Sequence, residues 1–479
     1  MLRKYFHQQE TPFRILTISL LIGLTLPVLI QDGMFMDAML YTSVSHNLSQ
    51  GIGTFWFPQF SLNNVGGLNA FHEQPPLVFG IQSLFFKIFG DSMYVERFYT
   101  LCTLLITCLL LIALWKEINK HSEISKKQGW LPLILWISIP VCFWSYSNNM
   151  HENSMGIFTL ASVLFSYRSF HKKGNPYGLL LLSALFILLA VLSKGIPGFF
   201  PVFVPFLYFL STRRISFSKM ILSSLILLLT FAFLFGIVLL IPDAKESLST
   251  YFFRRALHRI NEVPTVDSHF YILGRLFLEL LPQFIIILII IWIGKMKRNF
   301  SASTVSNQES LFFFLVGLSA SLPLMLTLVQ KGFYLVPALP FFALSSAILI
   351  APNITKSIHE IDTNGKKYKI SVTLSIILLL GSITFTLSKL GQSSRHPELI
   401  QDVYTIGKTL KKGEVISIPQ EMWNEWSLQC YLIRYYNISL DAGKKQAYYL
   451  VGKSMRMDSI PGYSKMDLKT LEYDLYERK

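Results

Sequence analysis

Apolar runs long enough to cross a lipid bilayer recur along this chain of 479 residues. Met220–Ile241 is one such run, and Phe284–Gly294 belongs to another. A bilayer core requires about 17–25 apolar residues per helix, because the backbone groups must be paired within the segment. Only 15% of the residues are charged, against about a quarter in a typical soluble domain. The chain is therefore predicted to be an all-α polytopic membrane protein.

The chain is predicted to cross the membrane eleven times. The predicted spans lie at 13–30, 98–115, 130–147, 154–170, 177–193, 196–210, 219–241, 270–294, 311–329, 333–351 and 370–388. A further apolar segment, Pro76–Gly90, is short, and counting it as a span would invert every loop that follows. We therefore predict that it forms an amphipathic helix at the external face of the bilayer.

Basic residues determine the predicted orientation. The net charge is +15, but the lysines and arginines occur in short clusters between apolar runs and not in a stripe that could bind nucleic acid. About twenty of them fall in alternate loops, which places those loops in the cytoplasm, together with the N-terminus. Both flanks of Tyr177–Leu210 are basic, so this segment is predicted to be a hairpin with Lys194 at its external tip. The C-terminus then lies outside the cytoplasm.

The composition becomes polar beyond the last predicted span. Helix and strand patterns alternate there, at Pro397–Lys411, Glu414–Ile418, Glu421–Tyr436 and Ala447–Val451. We therefore predict two regions, a transmembrane domain at 1–388 and a small extracytoplasmic α/β domain at 389–479.

Ionisable residues collect in the predicted external connections. These connections carry Asp37, His72-Glu73, His151-Glu152, Lys194, the cluster Arg254–Arg259, and Lys331. Transporters usually place such residues near the middle of the membrane, often within inverted repeats, and this chain has almost none there. Lys194 and Lys331 are each the sole cation of a tight external turn, where a lipid phosphate could pair with them. Alternatively, both lysines could be snorkelling anchors, and Asp37 could be a helix cap.

The order of these segments resembles the C-type glycosyltransferases, specifically the group of protein O-mannosyltransferases and lipid A aminoarabinose transferases. The matching pieces are Asp37 with Tyr41, Gly53–Pro58, HEQPPL at His72–Leu77, Val95–Arg97, Glu152, LSKG at Leu192–Gly195, LHRI at Leu257–Ile260, and KGFYLVPALPFFAL at Lys331–Leu344. Together they cover roughly the first 350 residues.

The resemblance implies roles for individual residues. Asp37 corresponds to the catalytic base that activates the acceptor, and Glu152 to a second acidic residue of the site. Glu73 and His258 match positions that bind a divalent metal in some relatives. The implied ligands of a polyprenyl phosphate are Lys194, Arg255, Arg259, Lys331 and Tyr334.

The chain departs from the pattern of this family at three places. Gln74 stands where the family often has a lysine, which removes one phosphate-binding cation. Glu152 stands where aspartate is more common, and Met36-Asp37 replaces an acidic pair. The ligands of the phosphate and the role of Glu152 are therefore open at this level.

The predicted function is transfer of one sugar from a polyprenyl-phosphate donor to an extracytoplasmic acceptor, with inversion at the anomeric carbon. The acceptor could be lipid A, a protein or another glycan. The alternatives are a polyprenyl-lipid or solute transporter, a non-catalytic membrane subunit, and a transferase of whole oligosaccharides. The last residues, Tyr476–Lys479, contain no endoplasmic-reticulum retention signal, so we expect a bacterial inner membrane with the active site in the periplasm.

Overall fold

The computed structural model describes residues 8–62, 70–258, 263–296, 304–455 and 459–479. Its α-helices are α1 (Thr11–Leu29), α2 (Met36–Ser49), α3 (Leu77–Phe89), α4 (Tyr94–Ile118), α5 (Trp130–Ile137), α6 (Pro140–Tyr146), α7 (His151–His171), α8 (Tyr177–Lys194), α9 (Val204–Thr212), α10 (Phe217–Leu239), α11 (Pro242–Ser249), α12 (Tyr271–Met296), α13 (Thr304–Ser321), α14 (Leu339–His359), α15 (Lys366–Leu387), α16 (Pro397–Thr409) and α17 (Trp426–Tyr436). Shorter 3₁₀ or π-helical segments lie at Ser125–Lys127, Ile196–Phe203, Thr250–Ala256, Leu322–Leu326, Gly332–Ala338, Gln420–Asn424 and Lys453–Met455.

Helical structure is present at all eleven positions predicted to span the membrane. Within the described ranges, eight helices are long and apolar enough to cross a bilayer. Helix α7 is also long, but it buries several serine and threonine side chains against its neighbours. The prediction of a polytopic helical membrane protein is therefore confirmed.

Prolines interrupt two of the predicted spans. The span at 130–147 consists of two short helices, α5 and α6, and the second begins at Pro140. The span at 196–210 starts as a 3₁₀ helix that contains Pro197 and Pro201 before α9 continues it. Proline lacks a backbone N–H and clashes with the preceding turn, which explains why neither span is one continuous α-helix.

The short apolar segment after Pro76 forms a helix with two different faces. Helix α3 buries Val78 and Phe79, while Leu84 and Ile88 are exposed. Its 13 residues extend about 20 Å, which is less than the bilayer core of about 30 Å. These dimensions suit the predicted interfacial helix better than a span.

The C-terminal residues form a mixed sheet with two helices. The strands are β1 (Val415–Ser417), β2 (Ser439–Asp441), β3 (Tyr448–Gly452), β4 (Tyr463–Lys465) and β5 (Tyr473–Arg478). The strand order is β2-β1-β3-β5-β4, with β1 parallel to β2 and β3 and with β5 antiparallel to β3 and β4. The sequence predicted β1, β3 and α16 but missed β2, β4 and β5. The predicted helix Glu421–Tyr436 is a 3₁₀ turn followed by α17.

The C-terminal region packs against α2 and the residues that follow it. Helix α17 packs along α2, and the hydroxyl of Ser43 donates to the carbonyl of Cys430 at 3.0 Å. Farther along, the amide of Leu62 donates to the hydroxyl of Ser439 at 3.1 Å. The C-terminal region therefore covers the same part of the molecule that carries Asp37.

Candidate active site

A buried ion pair joins the ends of two helices. Glu152 lies in the first turn of α7, where a carboxylate interacts favourably with the helix dipole, and Lys194 is the last residue of α8. The ammonium of Lys194 lies 2.5 Å from Oε1 of Glu152, and both side chains are almost completely buried. A buried charge requires such a partner, so Lys194 is a residue of the protein interior and not a snorkelling anchor.

Three aromatic rings surround the ammonium of Lys194. Nζ lies 5.8 Å from the ring centroid of Tyr41, 5.9 Å from Phe333 and 5.5 Å from Tyr334. These distances are within the range of cation–π interactions, which stabilise a desolvated cation. The rings also screen the ammonium from water.

A glycine turn sets the position of Lys194. Gly195 has φ +74°, and a Cβ atom there would overlap the ring and hydroxyl of Tyr251. The Tyr251 hydroxyl donates to the carbonyl of Lys194 at 3.2 Å. Only glycine has both the required conformation and the required size.

Asp37 belongs to the same cluster as Glu152. It lies half-buried in the first turn of α2, whose N-cap is Phe35, so Asp37 is not the capping residue. Asp37 is close enough to Glu152 and Tyr41 to interact electrostatically with both. The two predicted catalytic carboxylates therefore come together although 115 positions separate them in the sequence.

Gln74 occupies the position at which the family often has a lysine. Its side-chain amide donates to the hydroxyl of Tyr41 at 3.3 Å. It thus holds one of the rings around Lys194 and contributes no charge. Because Gln74 is neutral, Lys194 supplies the buried positive charge of this cluster among the described residues.

A cavity of about 430 Å³ leads from this cluster to the surface. Gln74, Glu152, Lys194 and Tyr334 line its polar end. The remaining walls are mainly apolar and are formed by Ile196, Pro197, Phe199, Phe200, Phe203, Ala320, Pro323, Leu324, Leu326 and Val329, among others. Phe203 and Leu326 are 52% and 73% exposed, so the apolar end opens on the outside of the helix bundle. Such a cavity fits a ligand with a polar head and an apolar tail.

The two predicted metal ligands lie in different surroundings. Glu73 forms an ion pair with Arg255, and His258 is exposed. No group of three or more His, Cys, Asp or Glu side chains lies within reach of a common metal ion in the part of the chain that the structure describes. A divalent metal at Glu73 and His258 would therefore have no third ligand of these types among the described residues.

The predicted phosphate-binding cations differ in their environments. Arg255 lies in the π-helical segment Thr250–Ala256, and Arg259 is outside the described residues. Lys331 is exposed and directly precedes the 3₁₀ segment that carries Phe333 and Tyr334. Lys194 and Tyr334 thus line the cavity, while Arg255 and Lys331 lie outside its lining.

Sequence reasoning missed two features next to the site. His151 is fully buried between the rings of Tyr41 and Phe79, at centroid distances of 4.3 and 4.7 Å, and neither ring nitrogen has a hydrogen-bond partner among the described residues. Asp32 receives hydrogen bonds from Tyr404 and Tyr435, which lie about four hundred positions away. No local pattern could have predicted these long-range contacts.

Two solved proteins share the fold. ArnT from Cupriavidus metallidurans, bound to undecaprenyl phosphate, gives a TM-score of 0.67 at 13% identity and covers 96% of this chain and 97% of its own. The archaeal oligosaccharyltransferase AglB from Archaeoglobus fulgidus, in complex with an inhibitory peptide and a dolichol-phosphate, gives 0.52 at 12% identity. That match covers 95% of this chain and 70% of AglB. At such low identity the likeness shows the fold.

A sequence family also matches part of the chain. Residues 73–239 match the family described as dolichyl-phosphate-mannose-protein mannosyltransferase. No curated protein matches the chain in sequence. The family match and the shared fold confirm the predicted resemblance to the C-type glycosyltransferases of the protein O-mannosyltransferase and lipid A aminoarabinose transferase group, and they indicate a glycosyltransferase.

Proposed function

We propose that the chain transfers a single sugar from a polyprenyl-phosphate donor to an acceptor on the extracytoplasmic side of a bacterial inner membrane. The observation that carries this proposal is the cavity with apolar walls that ends at the buried pair of Lys194 and Glu152. A polyprenyl chain suits the apolar walls, and a phosphate suits the ammonium. The structures of ArnT and AglB contain lipid phosphates of this kind, which supports the same ligand class here.

The lipid phosphate would lie between Lys194 and Tyr334. The ammonium balances the charge that develops on the phosphate as it leaves, and the tyrosine hydroxyl can donate to a phosphate oxygen. Glu152 keeps Lys194 in place before the donor arrives. Arg255 and Lys331 would bind the lipid headgroup region outside the cavity lining, and Arg259 stays a predicted ligand.

Asp37 would act as the general base. The acceptor oxygen attacks the anomeric carbon, and its proton moves to the carboxylate of Asp37. The new glycosidic C–O bond forms as the bond between the anomeric carbon and the phosphate oxygen breaks, and polyprenyl phosphate leaves with both electrons. One displacement of this kind inverts the anomeric centre. A divalent metal held by Glu73 and His258 stays a prediction, and none of these steps depends on it.

Release of polyprenyl phosphate tests this proposal. The purified chain would be incubated with a series of polyprenyl-phosphate sugars and candidate acceptors, and the released lipid phosphate would be measured. We expect release by the wild type and a loss of at least about 100-fold in Asp37→Asn, because a general base contributes about 10²–10⁴ to the rate. Asp243→Asn is the matched control, since Asp243 is an exposed aspartate on α11 away from the cavity.

Two results would contradict the proposal. Full activity of Asp37→Asn at matched expression would remove the assigned base. A wild-type protein that binds no polyprenyl-phosphate sugar and releases none would favour a transporter or a non-catalytic subunit.

A further inference from the structure

The segment that leads into α2 is bound by residues from the C-terminal region. The carboxylate of Asp32 accepts a hydrogen bond from the Tyr404 hydroxyl at 2.6 Å and one from the Tyr435 hydroxyl at 2.5 Å. The amide of Gly33 also donates to this carboxylate, at 2.7 Å. The guanidinium of Arg97 lies 3.6 Å away. With its oxygens occupied in this way, Asp32 is poorly placed to accept a proton from a substrate.

The backbone of the same segment also forms hydrogen bonds with residues of the C-terminal region. The amide of Asp32 donates to the carbonyl of Gln392 at 2.9 Å, and the amide of Ser394 donates back to the carbonyl of Asp32 at 2.7 Å. The amide of Met34 donates to the hydroxyl of Tyr431 at 3.2 Å. Two residues beyond Met34, α2 begins, and Asp37 is in its first turn.

A second set of contacts between α2 and α17 involves Arg434, the residue before Tyr435. Arg434 is fully buried, and its guanidinium donates to Glu96 at 2.8 Å and to Asp91 at 3.1 Å. His46, on α2, binds the same Asp91 carboxylate at 2.6 Å. Burial would raise the pKa of Asp91, but the hydrogen bond from His46 and the charge of Arg434 hold it well below its ordinary value. Asp91 therefore stays ionised and links α2 to α17.

The C-terminal region also reaches the catalytic cluster itself. Cys430 of α17 is buried and lies close enough to Asp37 to interact electrostatically with it. Its carbonyl accepts the hydroxyl of Ser43, on the same helix as Asp37. Helix α2 is thus held before its first turn, in its middle and near its end by one C-terminal helix.

We propose that the C-terminal region positions Asp37 for catalysis, with Tyr404 and Tyr435 as positioning residues that act through Asp32. The inference rests on the proposed function, because it assigns these tyrosines to the geometry of that reaction. Neither tyrosine lines the cavity. Each holds the carboxylate that fixes the approach to α2, and a shift of about 1 Å at the base can lower a rate on the order of 100-fold.

Removal of single hydroxyl groups tests this inference in the full-length protein. Tyr435→Phe and Tyr404→Phe each delete one hydrogen bond to Asp32 and keep the ring. Tyr436→Phe is the matched control on α17, because the Tyr436 hydroxyl forms no hydrogen bond with the described residues. The measurements are kcat for polyprenyl-phosphate release, the Kd for polyprenyl phosphate, and the thermal midpoint.

We expect kcat to fall on the order of 10- to 100-fold in Tyr435→Phe and Tyr404→Phe, with Kd within about twofold of the wild type. A purely structural role would change the thermal midpoint and the binding together and would not lower kcat selectively. In an Asp32→Asn background, Tyr435→Phe should have little further effect, because the two groups act as one unit.

The inference and the proposed function fail in different ways. A folded Tyr435→Phe with wild-type kcat, or an effect equal to that of Tyr436→Phe, would overturn the inference while the transferase stands. A wild type without any release of lipid phosphate would overturn the proposed function. If Tyr435→Phe does not fold, Tyr404→Phe decides by the same criteria, since its hydroxyl binds the other oxygen of Asp32.

Discussion

Lys194 pairs with the carboxylate of Glu152, and in the proposed function it also binds the phosphate of the donor. In the structure its ammonium pairs with Glu152 in a site closed by aromatic rings. Breaking one partner of a buried ion pair leaves an uncompensated charge and costs about 3–5 kcal/mol, whereas removing both charges is often neutral. This difference separates the structural role of the lysine from its role in binding.

We therefore expect Lys194→Met to lower both the thermal stability and the affinity for polyprenyl phosphate. The double variant Lys194→Met/Glu152→Gln should regain most of the stability, because no unpaired charge remains, but should still bind the lipid phosphate weakly. Thermal unfolding and equilibrium binding in detergent give the two readouts. A double variant that binds the phosphate as the wild type does would show that Lys194 is only half of a structural pair.

At the scale of elements, the end of α8 determines where the ammonium lies. Gly195 has a positive φ, and Tyr251 occupies the space that a side chain would need. Gly195→Ala should cost about 1–3 kcal/mol because a residue with a Cβ rarely adopts φ +74° with ψ −143°, and more from displacing Tyr251, and it should weaken binding of the donor. Gly178→Ala, in the first turn of the same helix and with open space around it, is the control and should be neutral or slightly stabilising. Equal effects of both changes on the thermal midpoint and on donor binding would contradict this interpretation of the turn.

The sequence predicted elements well where the signal is local. A run of about twenty apolar residues is a property of one segment, so the positions of the predicted spans coincide with helices. The break between α5 and α6 and the 3₁₀ segment before α9 were not predicted. A hydropathy profile contains no information about the backbone N–H that proline lacks. The strands β2 and β4 have three residues each, too few for an alternating pattern to be recognised, and β5 was missed although it is the longest strand of the sheet.

The candidate site shows the same limit. Asp37, Glu152, Lys194 and Tyr334 were predicted by position in the resemblance, and the structure brings them together. The pairing of Glu73 with Arg255 was not predicted, since it depends on the packing of loops that are distant in sequence. The same is true of the hydrogen bonds that tie the C-terminal region to Asp32.

At the scale of the whole molecule, the basic loops predict which end faces the cytoplasm. If the loop between α4 and α5 is cytoplasmic, the cluster of Asp37, Glu152 and Lys194 and the C-terminal sheet lie outside the cytoplasm. Each end has an exposed residue at which a cysteine can be introduced as a probe of its location. These residues are Glu123, in that loop, and Lys445, between β2 and β3. The native cysteines are buried or half-buried, so a cysteine introduced at either position should dominate labelling.

We expect a membrane-impermeant maleimide to label Lys445→Cys in spheroplasts and to label Glu123→Cys only after the membrane is permeabilised. The unmodified chain is the control for the native thiols, and retained release of polyprenyl phosphate shows that both variants are folded. The reverse pattern would place the catalytic cluster in the cytoplasm. The acceptor would then have to be a cytoplasmic molecule, because the polar end of the cavity and the C-terminal region lie at the same end of the molecule and cannot change sides independently.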